Sequence, residues 1–472
     1  MLKARFLQNI FLVIVSYVFY GWWDYRFCAF LLASSIVDFL VGRGLGKTEK
    51  PLFRKGLLLI SLTFNLSILG FFKYWNFFTS SLNSALSSVG WHVDIITLNV
   101  ILPVGISFYT FQGLSYSIDV YHRKMIPVKN LIDHLCYLSF FPQLVAGPIE
   151  RATHLSPQVL APRSFSSLLA VDGCRQMLWG FFKKMVIADN LSLIVDRAYA
   201  YPQYATGAQL TVATIAFAIQ IYCDFSAYSD IAIGTARLFG FDLMQNFAFP
   251  YFSQSIAEFW RRWHISLSTW LRDYIYIPLG GSRVSPFRRS MNVMITFLAS
   301  GVWHGASWTY VIWGGLHGAL ILLEKVWTSE QTLRVQDVPG GTSILPKPKV
   351  LLRMLFTFSL ICFTWIFFRA TSLSDAMLII GKIVTETVRR SSVGSVSELL
   401  QASPFVQNSG VVALVVLLGS FILLEWLQRH QAHPLVIGHW RTYIRRIVYT
   451  ILFWVTLYWG TWSTGQFVYF QF

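Results

Sequence analysis

Apolar residues in this chain fall in long runs rather than in narrow stripes. The runs lie near residues 6–23, 27–42, 56–72, 97–118, 207–223, 290–303, 308–326, 351–368, 410–428 and 447–463. A helix needs about 20 predominantly apolar residues to cross a bilayer core, so each run predicts a spanning helix. Stretches near 133–149, 166–187 and 226–240 are less regular. Read together, the pattern predicts an all-α polytopic membrane protein with roughly eleven spans and two or three re-entrant or interfacial segments. The first run follows Lys3 and Arg5, as in a signal peptide, but no small-residue cleavage site follows it. The sequence Tyr20-Gly21-Trp22-Trp23-Asp24-Tyr25-Arg26 stands there instead, an aromatic belt suited to a membrane interface, so this helix is expected to be retained.

Charge placement adds an orientation. Lys3 and Arg5 open the chain, and Arg43, Lys47, Lys50, Arg54 and Lys55 crowd the second turn between runs. The turn at Asp24 and the stretch Ser80 to Asp94 carry little or no positive charge, while His122, Arg123, Lys124 and Lys129 restore it. The positive-inside rule then places the N-terminus in the cytoplasm. The middle of the chain, roughly 120–290, is more polar. Arg151, Arg163, Arg175, Lys183 and Lys184 punctuate one amphipathic stretch, and Arg261, Arg262, Arg272, Arg283, Arg288 and Arg289 another, which predicts a cytoplasmic-side platform of short helices. The polar stretch from Thr328 to Lys349, with Pro339-Gly340-Gly341-Thr342 inside it, reads as a solvated loop. No repeat of fixed period is visible, which counts against a transporter built from inverted halves. One integral-membrane domain is expected over 1–472, with N-terminal spans to 118, a catalytic core over 119–370 and C-terminal spans from 371.

Composition agrees. Of 472 residues, 55% are hydrophobic and only 13% charged, with mean hydropathy +0.53. Soluble domains carry about 25% charged residues. The net charge of +16 would point to nucleic acid in a soluble protein; here the basic residues sit in short turns, so anionic lipid headgroups and an anionic substrate are the expected counter-charges, and no nucleic acid. The five cysteines are too far apart in sequence for a zinc or CxxC site, and no metal is expected. No GxSxG elbow, HExxH or Walker loop occurs, so serine hydrolase, zincin and P-loop readings lose their usual support.

Ionisable residues inside apolar runs are costly, about 2.5–3.5 kcal/mol each on insertion scales, and three groups stand out. The first is Gly301-Val302-Trp303-His304-Gly305-Ala306-Ser307-Trp308, which places His304 between two apolar runs, far from either loop, beside glycines that loosen the helix. An imidazole takes or gives a proton near neutral pH, so His304 reads as a general base in a cavity, ahead of the alternative of a hydrogen-bonded packing residue. The second group runs from Phe259 to Tyr274. At helical spacing Trp260, Trp263, Leu267 and Trp270 share a face, and His264 and Ser268, four apart, can meet. Arginines beside tryptophans suit a nucleotide donor, and they also suit an interfacial amphipathic helix. In the third group, Asp224 and Asp230 flank Ser226 and Tyr228 and could orient a His or an Arg, or bond between helices. Of lesser candidates, His317 reads as a packing residue, Lys73 as a snorkelling lysine and Glu150-Arg151 as a solvated pair at a helix end.

Several stretches then resemble the membrane-bound O-acyltransferase family, in its branch of bacterial alginate and peptidoglycan O-acetyltransferase membrane subunits. They are Leu102 to Gln112, Phe140 to Ile149, Gly180-Phe181-Phe182-Lys183-Lys184, Asp224-Phe225-Ser226, Trp260 to Tyr274, Trp303-His304-Gly305, Trp365-Ile366-Phe367-Phe368-Arg369 and the terminal Phe467-Val468-Tyr469-Phe470-Gln471-Phe472. The resemblance implies a ring of helices around a central tunnel, with His304 in the place of the catalytic histidine and His264 in that of the second active-site residue. It implies cytoplasmic acetyl-CoA as donor and a hydroxyl of an exported polysaccharide as acceptor. It also implies a bacterial inner-membrane location and a separate periplasmic esterase-like acetyltransferase subunit as partner. Arg261, Arg262 and Lys183 are the candidates to hold donor phosphates, His264 and Ser268 to donate to a developing oxyanion, and Asp224 and Trp303 complete the substrate-contacting set. A conduit that only passes the acyl group to its partner is the alternative.

Overall fold

The computed structural model describes residues 4–91, 97–98, 101–327, 338–339, 341, 344–386, 392–462 and 467. Among them the regular elements are all helical. Most of the polar stretch 328–349 and all of the terminal segment after 462 except Phe467 lie outside the described residues. The chain divides into two compact units, Met1–Gly173 with Thr235–Met244, and Cys174–Gly234 with Gln245–Phe472.

The first unit holds α1 (Arg5–Asp24), α2 (Cys28–Lys47), α3 (Pro51–Leu69), α4 (Trp75–Ser88), α5 (Ile106–Tyr121), α6 (Leu131–Ser139), α7 (Phe141–Leu144) and α8 (Ala152–Leu160). The helix α9 (Ser167–Phe181) follows. Then come a π-helical turn, Phe182–Ala188, α10 (Asp189–Tyr199) and α11 (Gly207–Leu238). The rest of the second unit is α12 (Ile256–Arg262), α13 (Ile265–Leu271), α14 (Pro286–His304), α15 (Trp308–Trp327), α16 (Pro348–Arg369), α17 (Leu373–Glu386), α18 (Ser392–Leu400), α19 (Pro404–Leu427) and α20 (Thr442–Trp459).

Five helical stretches among the described residues are long and apolar enough to cross a membrane: Arg5–Lys47, Pro51–Ser88, Gly207–Leu238, Pro348–Arg369 and Pro404–Leu427. The first is α1 and α2 joined through a 3-10 turn, each of 20 residues and so about 30 Å long, the thickness of the hydrocarbon core. Their outer faces are greasy: Val412, Val415 and Val416 of α19 are exposed, as lipid contact requires. The protein is a multi-pass membrane protein. Two expectations change. The run expected to span from 97 is helical only from Ile106, after Gly105 at φ 73°, where a Cβ would strike the Leu144 carbonyl. The runs near 207–223 and 226–240 are one 32-residue helix, α11. The polar residues that looked like a boundary, Asp224 and Ser226, are buried inside it.

Polar side chains hold the first unit together. Ser61 Oγ and Asn65 Nδ2 of α3 donate to Asp38 Oδ1 of α2 at 2.6 and 3.0 Å, and Ser34 Oγ donates to Asn65 Oδ1 at 2.5 Å. Such bonds between buried spans average below about 1 kcal/mol each, yet they fix which faces meet. Arg54, one of the charges used to orient the chain, is buried. It donates to the carbonyls of Leu45, Thr48 and Tyr121, the open helix ends around it. Glu150, expected to be solvated, is fully buried and accepts from Met244 N at 2.5 Å, with His154 Nδ1 2.7 Å away.

Candidate functional site

The site in the second unit is built on a tight helical hairpin and a kinked pair of short helices. Proline at the first turn opens α14, and the helix runs unbroken to its last residue, His304. Gly305 is then extended, and α15 returns from Trp308. The two helices pack closely because Gly301 and Gly314 face backbone: a Cβ at either would collide with the carbonyl of Tyr310 or Phe297. His304 is therefore not in the middle of a span, as its distance from loops had implied. It closes a helix at a turn. A helix C-terminus favours a cation by about 0.3–1 kcal/mol, which offsets only part of the cost of burying a protonated ring among Trp303, Trp313 and Phe368.

The stretch Phe259 to Tyr274 is not one continuous helix. Ser255 caps α12, its Oγ accepting from Glu258 N at 3.0 Å. The helix ends at Arg262, and His264 adopts φ 43°, ψ 55° before α13 begins. This left-handed conformation costs a non-glycine residue roughly 1–2 kcal/mol, and its neighbours hold it: Ala248 N donates to Arg262 O at 3.0 Å and Ile265 N to Asn246 O at 2.9 Å. Trp260, Trp263, Leu267 and Trp270 are buried all the same. They reach the core from two helices rather than along one face.

This arrangement brings His264 and His304 together, 6.5 Å between ring centroids, with Trp303 4.9 Å from His304 and 5.7 Å from His264. Both histidines are buried. Trp313 and Phe368 pack edge-on against His304 at 4.9 and 5.3 Å. His264 lies on Phe225, 4.6 Å away, and burial pushes its imidazole down to about 3, so it is neutral at physiological pH. A cavity of about 320 Å³ lies in the same unit, lined by Trp260, Arg261, Ser268, Arg272, Ser300 and Lys325 among others. Neither histidine is among its lining residues; the lining comes nearest to the pair at Ile265, which follows His264, and at Ser300, one helical turn before His304.

The remaining candidates divide. Arg261 and Ser268 line that cavity. The Ser268 hydroxyl donates to Trp263 O at 3.2 Å, and Ser268 meets His264 through the backbone, N to O at 2.9 Å. Arg262 points inward onto Glu258, Nε to Oε1 2.9 Å, in a pair buried on both sides. Lys183 is also buried, paired with Asp230 at 2.7 Å and donating to Ser226 at 2.6 Å. Asp224 holds Lys184 at 2.7 Å. The two carboxylates of α11 thus hold lysines, not a histidine or an arginine. The adjacent lysines, both in the π-helical turn Phe182–Ala188, reach partners six positions apart on α11. His317 is a satisfied packing residue: Trp260 Nε1 donates to its Nδ1 at 3.1 Å, and Thr364 Oγ1 lies 3.0 Å from its Nε2.

Sequence reading missed Asn246, whose side chain bonds His264, and Glu425, which accepts from the Tyr222 hydroxyl at 2.8 Å. Glu425 stands within the apolar run of α19 and could have been found as the one acidic residue there. Asn246 lies in an irregular segment and carried no such signal.

Comparison with known proteins adds to this geometry. Residues 126–367 match the membrane-bound O-acyltransferase family (MBOAT). The chain is 40% identical to "Probable alginate O-acetylase AlgI" of Azotobacter vinelandii over 79% of its own length and 72% of the relative's. It is 33% identical to a peptidoglycan O-acetyltransferase of Helicobacter pylori, covering 81% of this chain and 75% of the other. A teichoic acid D-alanyltransferase of Bacillus subtilis is more distant, at 26% identity over 57% of this chain and 69% of its own. The matched region contains both histidines and the cavity, and the chain belongs to the membrane-bound O-acyltransferase family as a multi-pass membrane O-acyltransferase.

Proposed function

We propose that the protein moves an acetyl group from acetyl-CoA to hydroxyls of an exported cell-envelope polysaccharide, alginate-like or peptidoglycan, with His304 as the base. The observation that carries this reading is the buried His264–His304 pair in the same unit as a cavity bearing Arg261, Arg272 and Lys325. The names of the relatives, O-acetylases of two such polymers, support the acetyl group and the class of acceptor. A thioester already stores the energy of transfer, so the protein has to hold the donor and manage one proton. The acceptor O–H gives its proton to His304 as its oxygen attacks the acetyl carbonyl. The C–S bond then breaks, the new ester leaves, and the thiolate takes the proton to become free CoA thiol. A positioned base contributes about 10²–10⁴-fold.

On this reading Arg261 and Arg272 hold donor phosphates. Changing both to alanine raises the KM for acetyl-CoA at least tenfold with kcat little changed, since hydrogen bonds to charged groups contribute about 1.5–3 kcal/mol each. Initial rates against donor concentration check this; an unaltered KM removes them from donor binding. The basic turns at 43–55 and 122–129 support a cytoplasmic N-terminus, and the bacterial relatives support an inner-membrane location. A periplasmic esterase-like subunit completes modification of the polymer.

The direct experiment gives purified protein in detergent labelled acetyl-CoA with and without a soluble oligosaccharide. Release of CoA thiol by the protein alone is the expected result, with label reaching the oligosaccharide in full once the periplasmic subunit is added. Binding without thioester cleavage would make the protein a conduit that leaves the chemistry to its partner.

A further inference from the structure

Asn246 sits in the irregular segment between α11 and the Pro250–Phe252 turn and is almost fully buried. Its polar atoms are committed to the turn that carries His264. The backbone carbonyl accepts from Ile265 N, and Oδ1 accepts from Ser266 Oγ at 2.9 Å and from Ser266 N at 3.3 Å. Nδ2 donates to Ser229 Oγ of α11 at 3.2 Å. His264 Nδ1 lies 3.0 Å from the same Oδ1.

These contacts settle which way the amide points. The Ser266 backbone N–H can only donate, so the atom it meets is the oxygen. An amide oxygen can only accept, so His264 Nδ1 must carry a hydrogen. Asn246 also does what His264 does poorly. His264 stands at the N-cap of α13 without a side-chain cap bond of its own, and Asn246 Oδ1 receives the open N–H of Ser266 in its place.

We propose that Asn246 is a positioning residue that locks His264 in its Nδ1–H tautomer, so that Nε2 bears the lone pair and His264 serves the acyl transfer as a hydrogen-bond acceptor for the incoming hydroxyl rather than as an oxyanion donor. The inference rests on the functional reading above and refines it. A neutral imidazole with hydrogen on Nδ1 has nothing to donate from Nε2. The single hydrogen of the incoming hydroxyl is shared between His264 Nε2 and His304 when the hydroxyl binds, which orients it, and passes to His304 as the oxygen attacks. The partner's chemistry fits this division. An aspartate at 246 would stabilise an imidazolium; an amide does not. The aromatic rings of Phe225, Phe247 and Trp303 around His264 exclude water and likewise disfavour the charged form.

Titratable groups face this arrangement from several elements. His304 of α14 lies 6.5 Å away between centroids. Across a water-sized cavity of about 30 Å³ behind Asn246 stand Lys183 of the π-helical turn, Tyr222 and Asp230 of α11, Glu425 of α19 and His433. Lys183 with Asp230 forms an ion pair, and Glu425 accepts from Tyr222. Asn246 and Ser229 both line that cavity, so the amide separates the histidine from these charges.

The test has two arms. In the first, protein labelled with ¹⁵N-histidine is examined in detergent, and the His264 resonances are assigned by their loss in His264→Gln. Two-bond ¹⁵N–¹H couplings report the tautomer. Nδ1–H is expected, and Nε2–H would overturn the proposal whatever the activity. A confirmed Nδ1–H tautomer in a protein that cleaves no thioester would instead remove the acyl-transfer reading and leave the lock standing. The second arm compares Asn246→Asp with Asn246→Leu in acetyl transfer. Asn246→Leu lowers kcat at least tenfold, with the KM for acetyl-CoA near the wild-type value. Asn246→Asp keeps the acceptor oxygen but raises the pKa of His264 from about 3 by about 1–3 units, so its activity acquires a new limb, lost as pH falls through the acid range of about 4–6 and recovered as pH rises. A folded Asn246→Asp variant with a wild-type pH profile would show that the residue only holds the turn, and the proposal would fail.

Discussion

Acetyl transfer falls by about 10²–10⁴-fold when His304 is replaced by alanine, with the amount of protein in the membrane preserved. That loss corresponds to about 2.7–5.4 kcal/mol of transition-state stabilisation. Alanine also removes a ring that packs on Trp303, Trp313 and Phe368, so a fall in activity could come from a loosened core. His304→Phe separates the two causes, because it keeps an aromatic ring among those partners and removes the base. The expected result is that phenylalanine restores the apparent Tm toward wild type and leaves transfer as low as alanine does. Wild-type acetylation by a folded His304→Ala protein would end the role of this residue as base. The position of His304 at the end of α14 adds a second reading of the same experiment. The conjugate acid formed on proton uptake is favoured there by the helix dipole, which His304→Gln, placed at the same helix end, cannot exploit.

Replacing Glu258 by alanine destabilises the protein by about 3–5 kcal/mol, because it leaves the Arg262 guanidinium buried without its carboxylate. Glu258 is tied in three directions: Oε1 accepts from Arg262 Nε at 2.9 Å, Oε2 accepts from Gln254 N at 2.8 Å, and its own N–H donates to the Ser255 cap. The pair also sits directly under the turn that presents His264, since Arg262 O accepts from Ala248 N. Thermal unfolding in detergent measures the effect. The double variant Glu258→Leu with Arg262→Met is expected to recover much of the loss, since buried pairs replaced by apolar residues of similar size are often neutral. A single variant that melts with wild type would show that the pair contributes nothing.

The membrane class of the fold was legible because lipid imposes it: an apolar run of 20 residues has few other uses. Runs such as those of α1, α2, α15 and α16 were therefore placed to within a few residues. What failed were boundaries set by tertiary contacts. Asp224 looked like the end of a span because its partner, Lys184, is remote in sequence. The break at His264 was invisible because nothing local demands a left-handed residue there; the backbone bonds from residues 246 and 248 impose it. The histidine pair itself was legible, since ionisable groups in apolar surroundings are conspicuous. Which cations face a cavity and which face inward was not: Arg261 and Arg262 are neighbours in sequence, yet one lines the cavity and the other is paired internally. Adjacent helical residues point about 100° apart, and only the packing decides which direction is outward.

The two lysines of the π-helical turn bear on how the protein enters the bilayer. Inserted alone, α11 would carry two bare carboxylates, at about 2.5–3.5 kcal/mol each near the centre of a span. Lys184 and Lys183 neutralise Asp224 and Asp230. These pairs favour insertion of α11 together with the segment before it over insertion of α11 alone.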